Sequence, residues 1–247
     1  MIQIFHGDDM DEKRLNELYN RAYGKSYKVF TPFLNLEEQS ILAQAYLPCE
    51  KYGGYDIAER VVAGFGNELQ KADFPIAYLT IAPVKQKFAD DLTHRDFLGA
   101  LMNLGVKREM LGDIIVADNQ ACLICLEQIA GYVADNLRRV RHTDVTVTQT
   151  DEIPAGAAAI PESKEFIAAS LRLDALISCV YKLSRSKAVK LFAADKVFVN
   201  SRLIKNTSHQ VKEKDIISVR GIGRFQFAGV MKKTKKDNLV LNIMVYK

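Results

Sequence analysis

The spacing of apolar residues changes along this chain of 247 residues, and each change predicts a different kind of element. Near the start, apolar positions three and four residues apart predict a helix around Leu15 and Leu18, and a second helix around Leu42. Asn35 has the side chain of an N-cap for the second helix. We therefore expect a mainly helical N-terminal segment over residues 1–72, in which residues 57–65 are either a helical turn or an edge strand.

Residues 73–150 alternate between the two-residue period of strands and the 3.6-residue period of helices. The strands are predicted over Ile76–Ala82, Asp113–Ala117, Ala121–Leu126 and Val145–Gln149, and the helices over residues 94–104 and 127–137. This βαββαβ order is the ferredoxin-like arrangement of RRM domains. The strand ACLICL carries no Phe or Tyr, so we do not expect the aromatic platform on which RRM domains stack bases.

Residues 151–164 contain two prolines and a run of small residues, which is typical of a linker. Residues 165–247 then show two short amphipathic helices, the second with Ser184 as its N-cap, followed by strands around Val197 and Ile216. Two further strands are predicted over Phe225–Val230 and Leu239–Tyr246. The lysines of the connecting MKKTKKDN sequence are either phosphate contacts or a solubilising turn. The predicted fold class is α+β.

Charge is distributed unevenly along the chain. Residues 166–247 carry 17 Lys and Arg against 5 Asp and Glu, a net charge of +12, whereas residues 1–165 carry 17 against 25, a net charge of −8. Such a split indicates that the C-terminal third meets a polyanion. Nucleic acid is favoured over an anionic membrane, because neither helix has the long apolar face with Trp or Phe that an interfacial helix uses.

Four motifs in the C-terminal third occur in a recognisable order: RLD at 172–174, SRSKA at 184–188, KVFVN at 196–200 and VKEKDIISV at 211–219. Together they resemble the S4 RNA-binding domain, an αL-like fold. The resemblance implies these RNA-facing residues: Arg172, Ser184, Arg185, Ser186, Lys187, Lys190 and Asn200. Lys205, Arg220 and Arg224 complete the candidate RNA-binding set, and Asp174 is interpreted as a local organiser. Without the resemblance, the pattern indicates a small α+β domain with a solvated basic helix face.

The whole chain resembles the YlmH family of bacterial S4 proteins, on the evidence of THRDFLGALM at 93–102, LGVKREMLGDI at 104–114 and RGIGRF at 220–225. The resemblance implies an RNA-binding protein without known catalysis that associates with the large ribosomal subunit. Its expected partners are large-subunit ribosomal RNA, with peptidyl-tRNA and ribosomal proteins as further candidates. Some members are linked to quality control on stalled ribosomes, including poly-alanine tailing, and the family's genes often lie near cell-division genes.

Two short motifs resemble enzyme signatures. His94-Arg95-Asp96 matches a kinase catalytic loop, but no DFG motif or glycine-rich loop accompanies it, and a helix start explains it better. The sequence KLSRS at 182–186 resembles the KMSKS loop of tyrosyl-tRNA synthetases, but no HIGH-type motif precedes it. We expect no catalysis. Two alternatives stay open: an RNA-modifying enzyme with an unrecognised site in residues 76–150, and an interaction protein of the cell-division machinery.

No cofactor or metal is expected. Cys122 and Cys125 form a CxxC, but a strand points them to opposite faces, and no second pair of ligands follows. No apolar run approaches the ~18 residues of a membrane span, and the N-terminus is acidic where a signal peptide is basic. These features predict a soluble, cytoplasmic protein, which we expect to be a monomer.

Overall fold

The computed structural model describes these parts of the chain: residues 2–4, 10–25, 27–153 and 161–246. Contacts between residues divide the chain into two compact units, Met1–Ala158 and Ala159–Lys247. We call them the N-terminal unit and the basic unit. The structure is a mixed α and β fold with helices packed on mainly antiparallel sheets, as the sequence pattern predicts.

The N-terminal unit is formed by these elements: β1 (Ile2–Ile4), α1 (Glu12–Lys25), β2 (Lys28–Leu34), α2 (Leu36–Gln44), β3 (Glu50–Tyr52), β4 (Val61–Phe65), β5 (Ile76–Pro83), α3 (His94–Asn103), β6 (Leu111–Ala117), β7 (Gln120–Leu126), α4 (Glu127–Asn136), β8 (Arg139–Val140) and β9 (Thr143–Thr150). The basic unit is formed by these: β10 (Glu162–Ala168), α5 (Leu173–Val180), α6 (Arg185–Ala193), β11 (Val197–Val199), β12 (Arg202–Leu203), β13 (Ile216–Val219), β14 (Gly223–Lys233) and β15 (Leu239–Tyr246).

The first 72 residues contain the two predicted helices and also a four-stranded sheet, in the order β1-β2-β4-β3, that the pattern did not predict. Asn35 caps α2 as expected, by accepting hydrogen bonds from two backbone N–H groups of its first turn. Strand β2 was missed because nearly all of its residues are buried, so its polarity does not alternate. Pro32 is tolerated there because the pairing with β4 is irregular at that point, and Thr31 Oγ1 accepts the N–H of Ala63 at 2.9 Å. The prediction of a mainly helical segment is corrected accordingly.

Residues 76–150 have the predicted βαββαβ order, with the short extra strand β8 at one edge. The sheet order is β6-β7-β5-β9-β8, so the four predicted strands are arranged 4-1-3-2, as in ferredoxin-like domains. Asp118 and Asn119 form the hairpin turn with φ of 48° and 60°, the conformation of a type I′ turn. Helices α3 and α4 cover one face, where Phe97, Leu101 and Val133 pack on Leu79 and Leu123.

The other face of this sheet is covered by the four-stranded sheet. Ile124 and Leu126 of β7 are buried there against Phe30 and Phe33 of β2. The two layers approach so closely at Gly112 that an added Cβ would lie 2.8 Å from the Phe33 ring. Strand β7 is thus buried on both faces, which explains its unbroken apolar sequence. The segments predicted as separate domains, 1–72 and 73–150, therefore belong to one compact unit.

A polar cluster joins the same two layers near the edge strand β6. The carboxylate of Asp113 accepts hydrogen bonds from Tyr55 Oη at 2.8 Å, Glu59 N at 2.7 Å and Arg60 N at 3.1 Å. The Arg60 guanidinium donates to Phe33 O at 2.7 Å and to Leu111 O at 2.8 Å. Burial lowers the pKa of Arg60, but the group stays charged at neutral pH. The cluster fixes the turn before β4 to β6.

The basic unit is a six-stranded sheet in the order β10-β15-β14-β13-β11-β12, and α5 and α6 pack on it. Leu173, Ile177 and Phe192 supply the helix side of its core, and Phe225 and Phe227 supply part of the sheet side. The predicted linker needs a correction at its end, because residues 162–164 already pair with β15 as part of β10. The strand was not predicted because most residues of β10 are exposed, so its sequence shows no alternation of apolar and polar residues. Residues 154–160 of the predicted linker lie outside the described residues.

Replacing Asp113 by Ala removes the acceptor for three donors that join the two layers of the N-terminal unit. We expect the free energy of unfolding of this unit to fall by about 2–4 kcal/mol, because hydrogen bonds to a charged group are worth about 1.5–3 kcal/mol each and water replaces part of the loss. Urea denaturation followed by far-UV circular dichroism measures the change. Asp135→Ala on the exposed side of α4 is the matched control, with an expected effect within about 0.5 kcal/mol. Equal stability of the two variants would contradict the joining role of Asp113.

Candidate nucleic-acid interface

The first feature of the candidate interface is a buried carboxylate, Asp174, in the first turn of α5; its side chain is 2% exposed. Arg172 Nε and Nη2 donate to the two carboxylate oxygens at 3.0 and 2.8 Å, and Ala175 N donates at 2.9 Å. Arg185 Nη2, on the next helix, lies 3.7 Å from the same carboxylate. Asp174 therefore holds two arginines from two elements beside each other.

The hydrogen bond from Arg172 is the main cause of a lowered pKa for Asp174, and the same bond raises the pKa of Arg172. Burial alone would raise the pKa of the carboxyl group, so the arginine determines the direction of the shift. Asp174 is thus ionised at neutral pH. The interpretation of Asp174 as a local organiser agrees with these contacts.

Backbone bonds fix this turn from the other side. Leu173 N donates to His209 O at 2.9 Å, and Asp174 N donates to Thr207 O at 3.2 Å. Arg172 itself forms an isolated antiparallel bridge with Gln210. The loop between β12 and β13 therefore occupies N–H groups at the start of α5 that have no partner within the helix. These bonds anchor the backbone at Arg172 to that loop.

The second feature is the start of α6. Ser184 is its N-cap and accepts the N–H of Lys187 at 3.3 Å, while its hydroxyl lies 3.1 Å from that of Ser186. Arg185, Ser186, Lys187 and Lys190 are exposed, and Ala188 and Phe192 are buried. The exposed side of α6 therefore combines cations, hydroxyl groups and the positive end of a helix, a combination that binds phosphate.

Asn200 and Lys205 are occupied within the unit. The amide of Asn200 donates to Asp215 Oδ1 at 2.8 Å and accepts the N–H of Ile216 at 2.9 Å, which fixes the turn after β11 to the start of β13. Lys205 Nζ forms an ion pair with Asp195 at 3.2 Å. Both residues have a structural explanation, and their contact with RNA stays a prediction.

Arg220 and Arg224 lie at the turn between β13 and β14. The Arg220 guanidinium is 5.6 Å from the centre of the Phe198 ring, and that of Arg224 is 4.9 Å from the centre of the Tyr246 ring. Gly223, with φ of +155°, lies close enough to Tyr181 that an added Cβ would be 3.2 Å from its hydroxyl oxygen. This contact brings the turn carrying the two arginines against the turn between α5 and α6.

Several exposed cations lie outside the predicted set. Lys182 is exposed in the turn between α5 and α6, where its φ is 51°. Four more are exposed at the end of the β14–β15 hairpin: Lys232, Lys233, Lys235 and Lys236. The hairpin turn is ordered by Thr234, whose Oγ1 accepts the N–H of Asn238 at 3.1 Å. Their position at a hairpin end agrees with the two strands predicted on either side of the MKKTKKDN sequence.

The other motifs have ordinary structural roles. Asp96 of the His94-Arg95-Asp96 sequence accepts hydrogen bonds from the N–H and hydroxyl of Thr93, as part of the α3 capping box. Burial raises the pKa of the Cys122 and Cys125 thiols to about 11 and about 12. Across the described part of the chain, no three His, Cys, Asp or Glu side chains are placed to hold a metal ion. The same residues include no helix with the length and apolarity needed to span a membrane.

Comparison with known proteins adds a family to this description. Residues 70–153 match the sequence profile of a domain described as "Putative RNA-binding domain in YlmH". The chain is 32% identical over 231 residues to the ribosome-associated protein quality control protein P2 of Bacillus subtilis strain 168, and the match covers 89% of this chain and 88% of the relative. A solved structure described as cell division protein ylmH from Streptococcus pneumoniae matches with a TM-score of 0.45 at 27% identity, covering 59% of this chain and 94% of that one.

The matched domain, residues 70–153, coincides with the ferredoxin-like part of the N-terminal unit. The similarity to the Bacillus protein extends over most of both chains. This chain therefore belongs to the YlmH family.

Proposed function

We propose that the protein is a non-catalytic RNA-binding protein that acts on the ribosome and contacts large-subunit ribosomal RNA through the basic unit. The observation that carries the proposal is the arrangement around Asp174, which holds Arg172 and Arg185 beside the exposed N-terminal end of α6. Lys187 and Lys190 extend the same basic helix surface.

The arrangement suits phosphate groups for a geometric reason. A guanidinium has five N–H donors, and Asp174 occupies two of those of Arg172, which fixes the orientation of the rest. Ordering a long cationic side chain before binding lowers the entropy lost when a phosphate arrives. Because Arg185 approaches the same carboxylate, an RNA backbone would meet two guanidinium groups close together, and that of Arg172 is already oriented.

Two observations support the ribosome as the site of action. The Bacillus relative is named for ribosome-associated protein quality control, and it aligns with most of this chain. The charge of the first 165 residues, −8, would repel bare RNA but is compatible with a position beside ribosomal protein. We therefore propose a role in ribosome-associated quality control, with peptidyl-tRNA and ribosomal proteins as additional contacts.

Catalysis is not part of this proposal. One cluster of ionisable groups in the N-terminal unit consists of Arg60, Arg108 and Asp113, and its donors and acceptors bind backbone groups and Tyr55. Burial, followed by the nearby Arg60, lowers the pKa of Arg108 to about 10, so this group remains protonated at neutral pH. The donors of Arg60 and Arg108 and the acceptors of Asp113 are thus used in structural contacts.

A salt series tests the basic face of α6. Each of Arg185→Ala, Lys187→Ala and Lys190→Ala should reduce the slope of log affinity against log salt concentration by about 0.7–0.9, because each cation releases roughly one counterion from RNA. Affinity for a structured ribosomal RNA fragment is measured at several salt concentrations. Lys164→Ala is the control, since Lys164 lies on β10 rather than α6 and its ammonium group is already paired with Glu162 at 2.7 Å. Unchanged slopes for all three variants would show that the face is only solvated.

The Asp174–Arg172 pair predicts a dependence of stability on pH. Asp174 has a folded-state pKa below its ordinary value of 3.8, so its contribution is complete above that value and is lost as the pH falls through the folded-state pKa. The difference in unfolding free energy between wild type and Asp174→Asn should therefore be constant from about pH 5 to 7 and should shrink below about pH 4.

Urea denaturation across this pH range measures that difference. Asp237→Asn, an exposed position with φ of 58° in the β14–β15 turn, is the matched control because Asn tolerates the same backbone conformation. A gap between wild type and Asp174→Asn that persists unchanged at pH 3 would rule out the ion pair as its cause.

The charge split predicts selectivity. The basic unit alone, residues 159–247, should bind free ribosomal RNA and large subunits with little discrimination, since phosphate contacts carry no sequence information. The full chain should favour large subunits that carry peptidyl-tRNA over free RNA, because its acidic part opposes binding to bare RNA. Pelleting at near-physiological salt compares the two proteins, with the Arg172→Ala, Arg185→Ala double variant as the control for specific binding. Equal recovery of the full chain on both targets would contradict the selectivity.

A further inference from the structure

The surface with which RRM-type domains bind RNA is not accessible in this protein. That surface is the sheet face opposite the helices, and here its central strand β7 packs against β2, with Ile124 buried among Phe30 and Phe33. Residues 70–153 nevertheless match the domain described as "Putative RNA-binding domain in YlmH". If the proposed function holds for this domain, on which the present inference rests, then another of its surfaces must contact RNA.

The loop between β5 and α3 has the properties of such a surface. Phe88 is 76% exposed and Val84 is 55% exposed, although both are large apolar residues. Lys85 and Lys87 lie between them in the sequence and are also exposed. The ammonium group of Lys87 lies 6.0 Å from the centre of the Phe88 ring. An exposed aromatic ring with cations close by is a combination with which proteins bind unpaired nucleotides.

The loop is held at several points. Val84 N donates to Asp144 O at 2.9 Å, and Gln86 Nε2 donates to Asp118 O at 2.7 Å. Further along, Asp90 N donates to Thr143 Oγ1 at 2.8 Å, and Leu92 N donates to Asn119 Oδ1 at 3.1 Å. These bonds fix the loop to the β6–β7 turn and to the β8–β9 hairpin. The backbone on either side of Phe88 is therefore held by hydrogen bonds while its side chain is exposed.

Several carboxylates lie near this loop, and most already have partners. Asp90 accepts the N–H of His142 at 3.1 Å and the Thr143 hydroxyl at 3.3 Å. Asp144 is paired with Arg139 at 2.9 Å. Asp96, which caps α3, lies 3.7 Å from Arg141. Arginines therefore offset the charges of Asp144 and Asp96, whereas Asp90 keeps its charge and Asp91 is exposed beside it. The cations of residues 84–88 are Lys85 and Lys87.

We propose that the loop of residues 84–88 is a second RNA contact of this protein, in which Phe88 stacks on an unpaired base and Lys85 and Lys87 bind the adjacent phosphates. Stacking is tolerant of sequence because every base has a π face, so the contact takes a single-stranded or looped segment rather than a helix. A protein partner is the competing occupant of an exposed aromatic residue, and the experiment below distinguishes it from RNA.

The chain contains no Trp, so Phe88→Trp introduces the only indole fluorophore of the protein. Titration of the full-length variant with a ten-nucleotide oligouridylate, which is unstructured, should quench its fluorescence to a saturating level. Tyr46→Trp is the control, because Tyr46 is 83% exposed in the same unit but is not part of the loop. Quenching of neither variant, or equal quenching of both, would overturn the proposal.

Two further variants separate stacking from charge. Phe88→Ala should weaken binding of the oligonucleotide roughly 5- to 150-fold and leave the salt slope unchanged, since a base stacked on an aromatic ring contributes about 1–3 kcal/mol and releases no counterion. The Lys85→Gln, Lys87→Gln double variant should instead flatten the slope by about 1.4, because single strands release about 0.7 counterions per phosphate contact. Circular dichroism checks that each variant folds.

The same probe separates this inference from the proposed function. In a chain carrying Phe88→Trp together with Arg185→Ala and Lys187→Ala, the oligonucleotide should still quench the indole. The opposite result is that the oligonucleotide does not quench Phe88→Trp, although the α6 variants do change the salt slope. This result would overturn the loop contact and leave the basic unit as the RNA-binding part. A Phe88→Ala variant that loses recovery on whole ribosomal particles but binds naked RNA normally would identify a protein partner, and would also overturn the proposal.

Discussion

Burial of strand β7 on both faces is the constraint on which the N-terminal unit depends. One face packs against α3 and α4, and the other packs against β2 and Phe74. Fully burying each Phe side chain contributes about 1.5–3 kcal/mol, so Phe30 and Phe33 supply much of the energy that holds the two sheets together. The apolar contact is not directional, and the three hydrogen bonds to Asp113 specify how the two layers align. As a result, the sheet face with which RRM domains bind RNA is buried in the core.

In the basic unit, the corresponding constraint is electrostatic. A net charge of +12 over residues 166–247 destabilises the folded unit through self-repulsion unless some cations are held apart or offset. Asp174 offsets Arg172 from within the core, at the point where Arg185 also approaches. A carboxylate buried to this degree is stable only with partners, so Arg172 and Asp174 depend on each other. One buried acid thus orients the basic residues that surround it.

The sequence predicts much of this structure, and the exceptions have physical reasons. The amphipathic helices, the caps Asn35 and Ser184 and the βαββαβ order follow from local periodicity and short-range hydrogen bonds. Strand β2 does not, because a strand buried on both faces has no alternation and Pro32 interrupts its pattern. For the candidate site, residue types and motif order point to α6. The pairing of Asn200 with Asp215 and of Lys205 with Asp195 depends on side chains brought together by folding, which spacing does not reveal.

The net charge of a whole unit does not determine the charge of each part of its surface, and the loop at Phe88 is an example. Residues 1–165 carry a charge of −8, yet at physiological ionic strength a charge acts over about 8 Å, so a phosphate at the loop would respond mainly to its neighbours. Of the nearby carboxylates, Asp90 accepts hydrogen bonds and Asp144 is paired with Arg139. The contact energy there would come from stacking, which salt does not screen, whereas the energy at α6 would come from released counterions, which salt suppresses. A protein with both contacts would keep its preference for unpaired bases at salt concentrations where its general attraction to RNA is weak.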